Sequence, residues 1–146
     1  MRFFIVFAVL VLPSFLWGCS LADSCRSNHN FTIEYYSGGG FTGVVHGLTI
    51  QSNGSVRKWT RHASSPLVYG DSLTLRSADL DTLCALMMKN DTLGYALSEK
   101  GNYTTVLTMT SNNKTNVVTF PGSDAPANTP QYISELIAEI KRIINY

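Results

Sequence analysis

Phe31-Thr32-Ile33-Glu34-Tyr35-Tyr36-Ser37-Gly38-Gly39-Gly40-Phe41-Thr42-Gly43-Val44-Val45-His46-Gly47-Leu48-Thr49-Ile50 decides how this chain folds. Phe31 to Tyr35 alternates apolar and polar residues, the mark of a half-buried strand. Ser37-Gly38-Gly39-Gly40 interrupts it, and Gly43 to Ile50 resumes as a second strand rich in Val, Leu, Ile and Thr. Asn53-Gly54 then lies between two β-like runs and is the strongest short hairpin signal. Ser55 to Thr60 is the expected return strand, with Val56 and Trp59 facing the core. Strands joined this closely pair antiparallel.

Downstream, Arg61 to Asp71 carries Ser, Pro and Gly and reads as a loop. Ser77 is the expected N-cap of a helix, with Asp79 in its first turn favouring the dipole. Leu80, Leu83, Cys84, Leu86 and Met87 follow helical spacing, and the helix is expected to end near Asn90 to Gly94. Gly101-Asn102 marks a turn. Tyr103, Thr105, Leu107 and Met109 alternate with Thr104, Val106, Thr108 and Thr110 as a strand, Ser111 to Lys114 is a hairpin loop, and Thr115 to Phe120 returns. After a linker from Pro121 to Asn128, Thr129 is the expected cap and Pro130 the first residue of a last helix. Ile133, Leu136, Ile137, Ile140 and Ile144 line one of its faces. The expected fold is α+β: a single antiparallel sheet of about four to five strands in β-β(-β)-α-β-β-α order, with two helices packed on one face.

Upstream, Met1-Arg2 opens a singly charged n-region, and Phe3 to Leu12 is an unbroken apolar run broken by Pro13. That run suits a signal peptide and is too short to span a bilayer, which takes ~20 apolar residues. Leu16-Trp17-Gly18-Cys19 resembles a bacterial lipobox, in which the Cys becomes the lipidated N-terminus. The competing reading is ordinary signal-peptidase cleavage after Ser20-Leu21-Ala22. The lipobox divides the chain into a leader (1–18), a lipidated Cys19 with a polar tether (19–30) and one α+β domain (31–146). Ser20, rather than Asp, after the lipid-bearing Cys resembles sorting to the outer membrane of a Gram-negative cell, facing the periplasm or the cell surface. An odd cysteine count in an exported chain needs an explanation. With Cys19 lipidated, Cys25 and Cys84 remain as a candidate disulfide worth at most about 4 kcal/mol. The alternative is a buried Cys84 on a helix face and a free Cys25.

The 146 residues carry eleven Lys and Arg against ten Asp and Glu, and removal of Arg2 with the leader leaves ten of each. No field draws such a protein to nucleic acid. The three histidines, His29, His46 and His62, share no ligand spacing, so no metal or other cofactor is expected. No G-x-S-x-G elbow is present, the acidic residues sit mostly at helix ends or in loops, and no enzymatic activity is expected. Arg57, Lys58, Arg61 and His62 around Trp59 suit either a sugar-binding patch or a strand edge protected by charge. Five N-x-S/T sequons, at Asn30, Asn53, Asn90, Asn102 and Asn113, imply exposed turns.

The stretch Ser37, Gly38, Gly39, Gly40, Phe41, Thr42, Gly43 is the most unusual of the chain. A phosphate-cradling loop would run on into a helix, whereas β structure follows here. One reading is a bulged or sharply turned strand connection with Gly at positive φ. The other is a backbone-rich loop entering a partner's cleft with Phe41 as the apolar anchor. Strand, Ser-Gly-Gly-Gly-Phe-Thr-Gly, strand resembles the start of the emfourin-type family, small bacterial inhibitors of thermolysin-like zinc metalloproteases. Ser37, two of Gly38 to Gly40, Phe41 and Gly43 match the family's Ser-Gly-Gly-Phe-Ala-Gly. Thr42 stands in place of Ala and one glycine is extra. The later order of helix, Tyr-containing strand, return strand and terminal helix is also similar. The resemblance implies a small α+β fold and a protein-binding function, as an inhibitor occupying a protease cleft. Partners would be the membrane, through lipid on Cys19, and a zinc metalloprotease or another envelope protein. An envelope-associated lipoprotein with no cleft-filling loop and a sugar-binding module using Trp59 are the alternatives.

Overall fold

A computed structural model describes residues 30–89 and 92–144 of the chain. The leader, Cys19, Cys25, the sequon at Asn90 and the tether up to residue 29 lie outside the described residues. Seven strands form one sheet: β1 (Phe31–Gly39), β2 (Val44–Gln51), β3 (Ser55–His62), β4 (Val68–Thr74), β5 (Leu97–Ser98), β6 (Tyr103–Ser111) and β7 (Lys114–Pro121). Helix α1 (Ser77–Met88) follows β4, and helix α2 (Gln131–Ile144) follows β7. The spatial order is β4-β3-β2-β1-β6-β7-β5. Five neighbouring pairs are antiparallel and β5–β7 is parallel, so the sheet is mixed.

This corrects the expected antiparallel sheet of four to five strands. Two strands were not anticipated. β4 falls largely within the stretch read as a loop, because Ser65-Pro66 and Gly70-Asp71 carry turn chemistry and residues 68 to 72 are all exposed. It pairs with β3 through a bulge in which Lys58 alone opposes Gly70 and Asp71. β5 has two residues, too few for any alternation to show. It runs parallel to β7 because β6 lies between the two in the chain, so that two reversals separate the pair.

Residues paired across strands share a face, so the register separates the two faces cleanly. Ile33, Tyr35, Leu48, Ile50, Val56, Leu107, Met109, Val118 and Phe120 share one, and they form a single core with Leu80, Leu83, Cys84, Leu86 and Met87 of α1 and Ile133, Leu136, Ile137, Ile140 and Ile143 of α2. Each such side chain contributes about 1.5–3 kcal/mol by leaving water. The opposite face bears Thr32, Glu34, Tyr36, Thr49, Arg57, Thr108 and their neighbours, and neither α1 nor α2 covers it. Trp59 belongs to that uncovered face, not to the core. Val56 and Trp59 stand three positions apart, and an odd spacing in a strand sends side chains to opposite sides.

The turns follow their residues. Gly54 adopts φ +85° and Ser55 N–H donates to Asn53 Oδ1 at 2.9 Å. Asn112 and Asn113 both take positive φ, the requirement of the tight turn between β6 and β7. The helix caps differ from expectation. Ser77 is already helical, and Arg76 precedes it in an extended conformation with its guanidinium on Asp79 at 2.9 Å. For α2 the Pro130 carbonyl accepts from Ile133 N–H (3.0 Å) and Ser134 N–H (3.1 Å), while the buried Thr129 Oγ1 finds no partner among the described residues. Thr92 closes α1 by donating to the carbonyls of Leu86 and Lys89. Asn116, buried on β7, holds the following loop by donating to Thr92 O (3.0 Å) and Tyr95 O (2.6 Å). Cys84 is buried in α1 and is disulfide-bonded, its partner lying outside the described residues.

Candidate functional site

The glycine-rich stretch divides in two. Ser37, Gly38 and Gly39 still belong to β1: Ser37 and Gly38 are paired with both β2 and β6, and Gly39 with β6. A Cβ on Gly38 would stand 2.3 Å from the Val44 carbonyl oxygen, and one on Gly39 would stand 2.4 Å from that of Asn102. These glycines serve close backbone approach. Ser37 Oγ accepts a hydrogen bond from the Tyr103 hydroxyl at 3.0 Å, which fixes it within the fold.

Gly40, Phe41 and Thr42 form a single 3-10 turn, with Gly39, Gly40 and Gly43 at φ +125°, +69° and +58°. Gly40 N–H donates to Asn102 O at 2.6 Å, tying the turn to the loop before β6. Gly43 N–H closes the turn on Gly40 O, and Val44 N–H reaches Thr42 Oγ1 at 3.5 Å. Phe41 projects from this turn with 113% relative exposure, beside an open hollow lined by Gly40, Gly101 and Asn102. Tyr103, 45% exposed, lies at the same end of the sheet. A large apolar side chain thus stands clear of the protein on a backbone held by positive-φ glycines, by the Gly40–Asn102 hydrogen bond to the loop before β6 and by bonds within the turn.

Beneath the tip, on the helix side, a hollow of about 280 Å³ is lined by Tyr35, Ser37, His46, Lys58 and Thr60, among others. Its polar groups already have partners. His46 Nδ1 lies 3.1 Å from Thr60 Oγ1, and Lys58 Nζ donates to the Ile144 carbonyl at 3.1 Å. Burial, followed by the negative charges of Tyr103 and Asp124, pushes the Tyr35 hydroxyl up to about 12.

The basic stretch around Trp59 is not one patch. Arg57 and Arg61 share the uncovered face with Trp59, Lys58 points to the helix side, and His62 is exposed at the strand's end. The reading of a charge-protected edge also gives way, because β4 lies outside β3. Trp59 is only 8% exposed. Its ring lies against Gly47, where a Cβ would come within 2.4 Å of Cζ2, and its Nε1 donates to Thr49 Oγ1 at 3.3 Å. Tyr36 flanks it at 5.6 Å between ring centroids. Trp59 therefore supports the face rather than presenting a ring to solvent. Tyr69, 60% exposed on β4 with the Arg57 guanidinium 4.9 Å from its ring centroid, is the accessible aromatic. Nothing in the sequence marks it, because the strand that carries it is exposed and Tyr69 is flanked by the turn residues Ser65-Pro66 and Gly70-Asp71.

Among the described residues no three His, Cys, Asp or Glu side chains gather to hold a metal ion, and no helix is long and apolar enough to cross a membrane. The chain matches no protein-family model, and no curated protein matches it either.

Proposed function

We propose that this chain is an exported, lipid-anchored protein-binding domain that inserts Phe41 into a cleft of its partner. The exposure of Phe41 on a preformed glycine turn carries the reading. Burying a phenylalanine yields about 1.5–3 kcal/mol. A turn already held at both ends loses little conformational freedom on docking, so more of that gain survives as affinity. The absence of Cβ atoms at Gly40 and Gly43 leaves the flanking N–H and C=O groups open to hydrogen bonds from a cleft wall. The likeness of Ser37–Gly43 to the emfourin-type motif supports a thermolysin-type zinc metalloprotease as the partner. The lipobox supports attachment through Cys19, at the outer membrane of a Gram-negative cell.

The test is titration of the full chain, in detergent, against a thermolysin-type metalloprotease acting on a small peptide substrate. Stoichiometric inhibition that Phe41→Ala abolishes is the expected result. Inhibition that survives Phe41→Ala refutes the anchoring role, and absence of inhibition far above the enzyme concentration discards that protease. A second reading, an envelope-associated lipoprotein without a cleft-filling loop, is favoured by the tight packing of Gly38 and Gly39. It differs in expecting no partner whose binding depends on Phe41.

A further inference from the structure

We propose that the uncovered face of the sheet binds an acidic oligosaccharide, in a trough between Tyr69 and Glu34. Two hollows of about 230 Å³ each adjoin there and share Glu34, Thr49 and Tyr69. Arg61 and Tyr36 line the first, and Arg57 and Gln51 the second. Each is smaller than the ~300–1,000 Å³ of a compact ligand pocket, and the two in series suit an elongated, shallowly held chain of rings.

The chemistry of the lining points to sugar hydroxyls. Among the described residues no hydrogen bond or ion pair engages the side chains of Glu34, Gln51, Arg57 or Arg61, although all four are exposed on one face. Arg57 is committed only to the ring of Tyr69. A carboxylate, an amide and two guanidiniums therefore present free acceptors and donors side by side, the complement of groups that both donate and accept. Tyr69 adds an exposed ring for the apolar face of a pyranose.

Two guanidiniums against one carboxylate leave one positive charge along the trough, which selects a sugar bearing a carboxylate over a neutral one. An extended peptide is the poorer fit. β1, β2 and β3 are each paired on both sides, so the floor offers no free backbone edge for an added strand. Trp59 takes no direct part. Packed on Gly47 and bonded to Thr49, it holds the floor beneath the ligand.

The experiment is calorimetric titration of the full chain, in a detergent without a sugar headgroup, with hexagalacturonate, cellohexaose and hexaglutamate. Hexagalacturonate is expected to bind at millimolar concentration or below. Tyr69→Ala is expected to weaken it by roughly tenfold or more, and Tyr69→Phe to retain it. Arg57→Gln together with Arg61→Gln is expected to abolish the preference over cellohexaose while circular dichroism stays unchanged. Phe41→Ala is expected to leave it unaltered, which separates this site from the protein-binding tip. Absence of binding to hexagalacturonate, or binding indifferent to Tyr69→Ala, overturns the site. Equal affinity for cellohexaose overturns the acidic selectivity, and equal affinity for hexaglutamate overturns the saccharide assignment.

Discussion

Replacing Gly47 with Ala sets two effects of opposite sign against each other. In a strand, alanine ordinarily gains about 0.5–1 kcal/mol over glycine, because less backbone freedom is lost on folding. Here the added Cβ would stand 2.4, 2.6 and 2.7 Å from Cζ2, Cη2 and Cε2 of Trp59. The indole cannot simply swing aside, since Nε1 is bonded to Thr49 and Tyr36 closes the flank. Overpacking of this kind costs about 1–3 kcal/mol. Because all three contacts lie below 3.0 Å, the clash wins, and the net expectation is a loss centred near about 1 kcal/mol and reaching at most about 2.5 kcal/mol. Urea denaturation followed by far-ultraviolet circular dichroism measures it directly. Gly70→Ala is the control, with the nearest atom 3.7 Å away and no positive φ; it is expected to be neutral or slightly stabilising. In a Trp59→Phe background the cost of Gly47→Ala should shrink, because the two sites are in contact and their effects do not add. A neutral or stabilising Gly47→Ala in the parent protein would refute the placement of Trp59, and with it the floor of the trough.

Two further predictions follow from groups inside the fold. Burial raises the Tyr35 pKa from 10 to about 12, so the native state holds that proton more tightly than the unfolded chain. Its stabilising effect is complete below about pH 10 and is lost as pH rises toward and through 12; the difference in urea midpoint between the parent and Tyr35→Phe should change over that interval, and a pH-independent difference would contradict the assignment. Reduction of the Cys84 disulfide should lower stability by at most about 4 kcal/mol, and peptide mapping of the oxidised protein should join Cys84 to Cys25. A bond from Cys84 to Cys19 would instead exclude Cys19 as the lipidated residue.

The elements with strong periodicity were legible in the sequence. The alternation of Phe31, Ile33 and Tyr35 marked β1, and the helical spacing of Leu80, Leu83, Cys84 and Met87 marked α1, because burial on one side forces such patterns. The glycines misled in part. Gly38 and Gly39 read as an interruption, yet they remain paired in β1, where the adjacent Val44 and Asn102 carbonyls leave no room for a Cβ. β4 was invisible for a related reason. An edge strand with its residues mostly exposed has no burial to record, and Tyr69 carried no signal that would place it opposite Trp59. The caps failed because side-chain capping is only one way to satisfy a helix end; Arg76 and Pro130 use backbone geometry and a carbonyl instead. Phe41 was legible as an anomaly, a large apolar residue among glycines, but only the turn at Gly40–Thr42 shows it clear of the protein.

β1 enters the sheet at Phe31 and delivers Phe41 at the far end, nine strand residues later. At the usual rise per residue that is a rigid span of roughly 30 Å. On the proposed anchoring at Cys19, a Cys25–Cys84 bond pins the tether to α1, and the six steps from residue 19 to 25 allow at most about 20 Å more. The sheet is then a post that separates the entry of the tether at Phe31 from the tip at Phe41. With anchoring as proposed, reach is set by the length of one strand and of the segment before Cys25, so shortening residues 19 to 25 would change the reach of the tip without altering its surface.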